Sequence, residues 1–131
     1  MATFKRFEEI EAWKKARVLT KRIYKISRAG EFGRDFTLRN QICSSSGSIM
    51  SNIAEGFGRE GNKEFINFLS IAKGSVEESK SHLYIALDQE YIDEKVFEEL
   101  YNLAREAGLM IFGLMKYLRG TKTRGMKFKP V

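Results

Sequence analysis

The sequence predicts an all-α protein, an antiparallel up-down-up-down four-helix bundle. Three observations predict it. Apolar residues recur at the helical period in four long runs. The single proline, Pro130, stands next to last, so no proline interrupts those runs. No stretch alternates apolar and polar residues as a half-buried strand would. At 131 residues the chain suffices for one core. With 43% apolar and 31% charged residues it has the composition of a soluble globule, which excludes collagen-like, mucin-like and disordered classes. The expected division is a bundle domain over residues 1–118 and a flexible basic tail over residues 119–131.

The first run covers residues 8–29. At about 100° per residue, Ala12, Ala16, Leu19, Ile23 and Ile26 share one face. Opposite them Lys14, Arg17, Lys21, Lys25 and Arg28 fall within an arc of about 80°, with no carboxylate among them. A solvated helix face ordinarily mixes Glu with Lys for i,i+4 support, so like charges alone point to a polyanion or a neighbour's acidic surface. The plainer reading is a solvated face. Trp13 and Tyr24, on the flank, are expected to pack against a helix or a neighbouring subunit, with base stacking as the alternative.

Residues 28–33 read as a breaker, and the second run covers residues 35–57. Leu38, Ile42, Ile49 and Ile53 form one face; Phe36, Cys43, Met50, Ala54 and Phe57 form an adjacent one, which predicts burial on two sides. Ser44 to Ser48 would pass for a linker by composition. The isoleucines on both sides keep helical phase through it, so it is assigned to the helix. Asn40, Gln41, Ser44, Ser48, Ser51, Asn52 and Glu55 make the remaining side mostly small and uncharged, which suits close approach of another helix. A contact between subunits is expected there, at Ser44, Ser48 and Ser51.

Gly58 is expected as the left-handed residue after this helix, and Asn62 as the N-cap of the next. The third run, residues 63–90, aligns Phe65, Phe68, Leu69, Ala72, Val76, Leu83, Ala86 and Leu87. Ile71, Tyr84 and Ile85 fall off that stripe and call for a partner subunit. Asp93 caps a fourth run over residues 94–118, where Val96, Leu100, Leu103, Ala107, Met110, Ile111, Leu114 and Leu118 face inward.

The net charge of +6 is uneven. Residues 1–40 carry 11 Lys/Arg against 5 Asp/Glu, and residues 41–118 carry 7 against 12. Arg119, Lys122, Arg124, Lys127 and Lys129 then stand without an acid, as an arm for phosphates or anionic lipid heads would, or as a solubilising tail. The single Cys43 excludes an internal disulfide. The N-terminus lacks an apolar h-region and no window is apolar enough to span a membrane, so a cytoplasmic protein without membrane contact is expected.

Catalytic signals fail on context. Gly56-Phe57-Gly58-Arg59-Glu60-Gly61 matches G-x-G-x-x-G, but it follows a helix instead of a strand, and it lacks the Gly-Lys-Ser/Thr of a P-loop. An anion near Arg59 and Lys63 is the weaker idea it leaves. The single His82, with Glu78 one turn earlier, cannot supply a di-iron site and reads as a half-buried packing residue. Glu55 is expected to cap a helix or pair with Arg39 or Arg59. No enzyme, no metal and no cofactor are expected.

Several segments carry a resemblance: Phe7-Glu8-Glu9-Ile10-Glu11-Ala12-Trp13-Lys14-Lys15-Ala16, Leu38-Arg39-Asn40-Gln41-Ile42, Ser48-Ile49 with Asn52-Ile53-Ala54-Glu55-Gly56-Phe57-Gly58-Arg59, and Glu64-Phe65 with Phe68-Leu69 and Ile71-Ala72-Lys73-Gly74-Ser75. Over about residues 4–118 the chain resembles the small bacterial four-helix-bundle proteins encoded within intervening sequences of 23S ribosomal RNA genes. The accessory variability protein of diversity-generating retroelements is similar to that family. The resemblance implies a homopentameric, barrel-like assembly whose basic surface engages nucleic acid and a nucleic-acid-processing partner, a reverse transcriptase. The expected function is therefore a homo-oligomer, a pentamer, that binds structured RNA or DNA through the stripe of the first helix and the tail. The alternative is a protein-interaction scaffold for a nucleic-acid-processing protein.

Overall fold

The computed structural model describes residues 4–120. A 3₁₀ turn, Phe7–Glu9, leads into α1 (Glu11–Ser27), a short α2 (Gly30–Arg34), and three long helices, α3 (Phe36–Gly58), α4 (Asn62–Asp88) and α5 (Glu94–Gly120). Among the described residues there is no strand. Helix α1 packs on α3 and α5, and α4 packs on the same two, so the four long helices form a square ring in which chain neighbours are spatial neighbours. Side-chain pairs give the direction. Lys15 meets Glu106 at 3.0 Å and Arg22 meets Glu99 at 3.2 Å. An advance along α1 is thus a retreat along α5, the antiparallel register of a bundle joined by short connections.

The core is built where the periodicity places it. Leu19, Ile23, Ile42, Ile49, Ile53, Phe65, Leu69, Val76, Leu83, Leu100 and Ile111 are fully buried, each stabilising the fold by roughly 1.5–3 kcal/mol relative to exposure. Two positions depart from expectation. Phe36, expected on a second buried face, is 62% exposed at the first turn of α3, and Met110 sits at the edge of its stripe, 37% exposed. The other residues of that second α3 face, Cys43, Met50, Ala54 and Phe57, are half-buried.

The supposed breaker is instead helix α2. Its Gly30 and Gly33 weaken the local helical signal, but Phe32 is 1% exposed and stacks on Tyr91 at 5.2 Å, so burial holds the turn of helix in place. Asp35 then serves twice. One carboxylate oxygen accepts from the backbone N–H of Leu38 at 3.1 Å, capping α3, and the other accepts from the Tyr91 hydroxyl at 2.9 Å. That bond raises the Tyr91 pKa above its ordinary value, because losing the proton would set a phenolate against a carboxylate.

The turn between α3 and α4 also differs from expectation. Gly58 remains helical, and the left-handed residue is Gly61, with φ 85° and ψ 155°, which serves as the N-cap of α4. Asn62 is already the first helical residue. Its side-chain N–H donates to the Leu118 carbonyl at 3.4 Å, one of the carbonyls that the end of α5 leaves open, while its Oδ1 is buried without a partner. Asp93 caps α5 as expected, accepting from Val96 N at 2.8 Å.

Candidate nucleic-acid interface

The outward face of α1 follows from its inward one. Burial of Ala12, Ala16, Leu19 and Ile23 turns Lys14, Arg17, Lys21, Lys25 and Arg28 to solvent, and all five are exposed. The cations on the flank toward α5, Lys15 and Arg22, are neutralised by Glu106 and Glu99. The outward ones differ among themselves. Lys14 is paired at 3.2 Å with Glu11, an acid just before the stripe, so this position contributes less free charge than the wheel alone implies. Arg17 lies 5.7 Å over the Trp13 ring, and Trp13 packs edge-on against Phe7 at 5.1 Å. Trp13 is thus a shelf for Arg17 within its own chain. Lys21 and Lys25 have no ion-pair partner among the described residues, and Arg28 is tied only to the neutral Tyr24 carbonyl, at 3.1 Å.

Arg119 is exposed near the end of α5. Antiparallel packing sets that end beside the start of α1, and Arg119 lies thirteen residues past Glu106, the partner of Lys15, which is roughly 20 Å further along the axis. It does not join the stripe. Lys122, Arg124, Lys127 and Lys129 lie outside the described residues.

One cation belonging to this surface was missed in the sequence. Arg39, from α3, faces a groove of about 540 Å³ beside Tyr24 and Arg28. The signal was the short α1–α3 connection, which in an antiparallel pair must bring residues on its two sides together. Tyr24, expected to be packed away, is 45% exposed on the groove wall, and Ser44 lines the same groove.

The positions expected between subunits separate into two faces. Ile71 and Ile85, 53% and 42% exposed, stand on the edge of α4 toward the small polar face of α3. Tyr84 points about 100° away from Ile85, into an aromatic cluster with Phe97 at 4.8 Å and Tyr101 at 5.7 Å on α5. Part of the serine run is used inside the chain: Ser45 and Ser46 are buried, and Ser48 accepts a hydrogen bond from Ser75 of α4 at 3.0 Å. Ser44 and Ser51 stay exposed.

His82 is more buried than its sequence position suggested, at 8% exposure. Its Nδ1 lies 3.2 Å from the Ser45 hydroxyl, which also contacts the Ser79 hydroxyl at 2.9 Å. Burial lowers the His82 pKa, and the nearby charge of Glu78 partly opposes this. Glu55 pairs with Arg59 at 2.9 Å, a bond that raises the Arg59 pKa, and Arg59 also approaches Glu64 at 3.9 Å. The glycine-rich segment is a helix-to-helix turn whose Arg59 charge is already balanced. Among the described residues no three His, Cys, Asp or Glu side chains gather as metal ligands would, and no helix is long and apolar enough to cross a membrane.

Fold and surface together define the class: an antiparallel four-helix bundle with a cationic face on its first long helix. The family model described as 23S rRNA-intervening sequence protein matches residues 8–113, and the chain belongs to that family. A crystal structure of a protein of unknown function from the S23 ribosomal protein family of Bacteroides thetaiotaomicron is similar to it, at 27% sequence identity and a TM-score of 0.73, covering 80% of this chain and 98% of that one. No curated protein matches the chain significantly.

Proposed function

We propose that this protein is a non-enzymatic homo-oligomer, a ring of five copies, that binds structured RNA through the outward face of α1. The observation that carries the reading is the division of α1 cations: Lys15 and Arg22 are neutralised across the α5 seam, whereas Arg17, Lys21, Lys25 and Arg28 face outward with no carboxylate partner among the described residues. Repetition around a symmetry axis multiplies that modest charge into a multivalent surface for a polyanion. The pentamer rests on the family resemblance and on the two separate apolar faces of α4. A closed ring uses two different patches head to tail, whereas a two-fold dimer uses one patch twice.

Binding of a structured ribosomal RNA fragment by nuclease-treated protein, across a salt series, tests the reading. Lys21→Glu with Lys25→Glu is expected to weaken binding and to flatten the slope of log K against log salt by about 1.4 to 1.8, since each lost phosphate contact removes roughly 0.7 to 0.9. An unchanged affinity and slope would remove α1 as the RNA surface.

A second reading is favoured by Leu109 and Phe112 of α5, 58% and 47% exposed beside a groove on the α4 side. Such a patch suits a scaffold for a nucleic-acid-processing protein. Partner capture that survives nuclease treatment supports the scaffold; loss of cargo with nuclease supports the RNA binder.

A further inference from the structure

We infer that the groove between the end of α1 and the first half of α3 receives one unpaired nucleotide of an RNA strand, with its phosphate on Arg28 and Arg39 and its base against Tyr24. This rests on the RNA-binding reading and gives it a specific seat.

The charge of the groove selects the ligand. Its walls carry two guanidinium groups and no carboxylate. Each guanidinium is held by a single bond to a neutral main-chain carbonyl, Arg28 Nε to Tyr24 O at 3.1 Å and Arg39 Nη1 to Gly33 O at 3.0 Å. Neither bond cancels charge, and both leave N–H donors for a phosphate. Arg39 is steadied further by the Phe36 ring, 4.7 Å below it, which accounts for an aromatic left 62% exposed. An arginine ordered before its ligand arrives loses less side-chain entropy on binding.

The remaining walls suit a base. Tyr24 is 45% exposed and stacks on no other ring among the described residues, so its face is open to a base. Asn40 and Ser44 line the same groove with an amide and a hydroxyl, both exposed and without side-chain hydrogen bonds among the described residues, which are donors and acceptors for a base edge. The volume of about 540 Å³ falls within the range of small-ligand clefts, roughly 300–1,000 Å³. Lys21 and Lys25 precede Arg28 on the same helix face, so flanking phosphates have cations to follow. RNA bulges and loops splay out the single base that the groove requires, which a regular duplex does not.

Cys43 lines the same groove, half-buried, and is the only cysteine in the chain. Its reaction with a neutral thiol reagent such as 4,4′-dithiodipyridine therefore reads occupancy directly. The probes are an RNA hairpin with one bulged uridine, the same hairpin with an abasic bulge, and a fully paired hairpin. Affinity is measured separately by fluorescence anisotropy. At about ten times Kd, the bulged hairpin is expected to slow Cys43 modification about tenfold, and the paired and abasic hairpins to slow it far less. Tyr24→Leu is expected to weaken binding of the bulged hairpin about 5- to 150-fold, the loss of one stacked base, and to erase its advantage over the abasic one. Bulged RNA that binds while Cys43 reacts at an unchanged rate would overturn the groove and leave RNA binding by α1 standing. Equal protection by the abasic hairpin would overturn the base seat. Absence of binding to all three hairpins would overturn the RNA reading itself, and the groove with it.

Discussion

Ser45, Ser79 and His82 bring three polar side chains into the seam between α3 and α4, where water has little access. Buried His82 is disfavoured as a cation, so the folded chain releases a proton that the unfolded chain holds at an ordinary pKa of 6.5. Stability is then full above that value and declines as pH falls below it toward the lowered folded pKa. Urea midpoints measured between pH 7 and 5 should fall for the natural chain and stay flatter for His82→Gln; equal slopes would show that His82 is not the group responsible. Gly56 is a second residue whose role is set by its neighbours. A Cβ there would lie 2.7 Å from Phe68 Cβ and 3.0 Å from a ring carbon of Phe65. Gly56→Ala gains about 1 kcal/mol of helix propensity. Overpacking at a contact so near the α4 backbone costs about 1–3 kcal/mol. Overpacking outweighs propensity, and the variant is expected to melt below the natural protein; a higher melting temperature would mean that α3 and α4 separate freely at this point.

Among elements, α3 begins under more constraint than α5. Asp35 and Asp93 both cap a helix, but only Asp35 also receives the Tyr91 hydroxyl and so ties the start of α3 to the turn before α5. Asp93→Ala should cost the cap alone, about 1 kcal/mol. Asp35→Ala should cost the cap together with the hydrogen bond that the part-buried Tyr91 hydroxyl donates, and so should destabilise the fold more than Asp93→Ala does. Equal losses in chemical denaturation would show that the Tyr91 bond contributes nothing. The cap at Asp93 and the four long apolar stripes were legible because each depends on residues within a few positions of one another. The role of α2 was hidden because Phe32 is fixed by Tyr91, nearly sixty residues away.

For the whole molecule, the surface that asks for a neighbour is the one that α4 presents on its two edges. Exposed Ile71 and Ile85 would be covered in a ring, and a charge there would be buried without a partner. Native mass spectrometry is expected to give five times the 15.1 kDa chain mass for the natural protein, and the monomer for Ile71→Lys with Ile85→Lys at unchanged helicity. A natural protein that runs as a monomer at micromolar concentration would remove the ring. The small polar face of α3 shows why sequence left this surface open. Ser45, Ser46 and Ser48 admit the chain's own helices, while Ser44 and Ser51 remain outside, and residues of one composition cannot announce which helix will approach them.

The sequence by itself determined the number of long helices, their inward faces and the cationic stripe of α1, since these follow from a 3.6-residue period acting within one segment. Tertiary structure decided which cations remain free. Lys15 and Lys21 are alike in sequence, yet one lies against Glu106 and the other has no acid beside it. It also decided that Arg39 joins Tyr24 and Arg28, that Ser45 meets His82, and that Gly61 in place of Gly58 makes the turn. Each of these depends on the register between two packed helices. Register is fixed by the fit of complete side-chain surfaces, and no single segment contains that information.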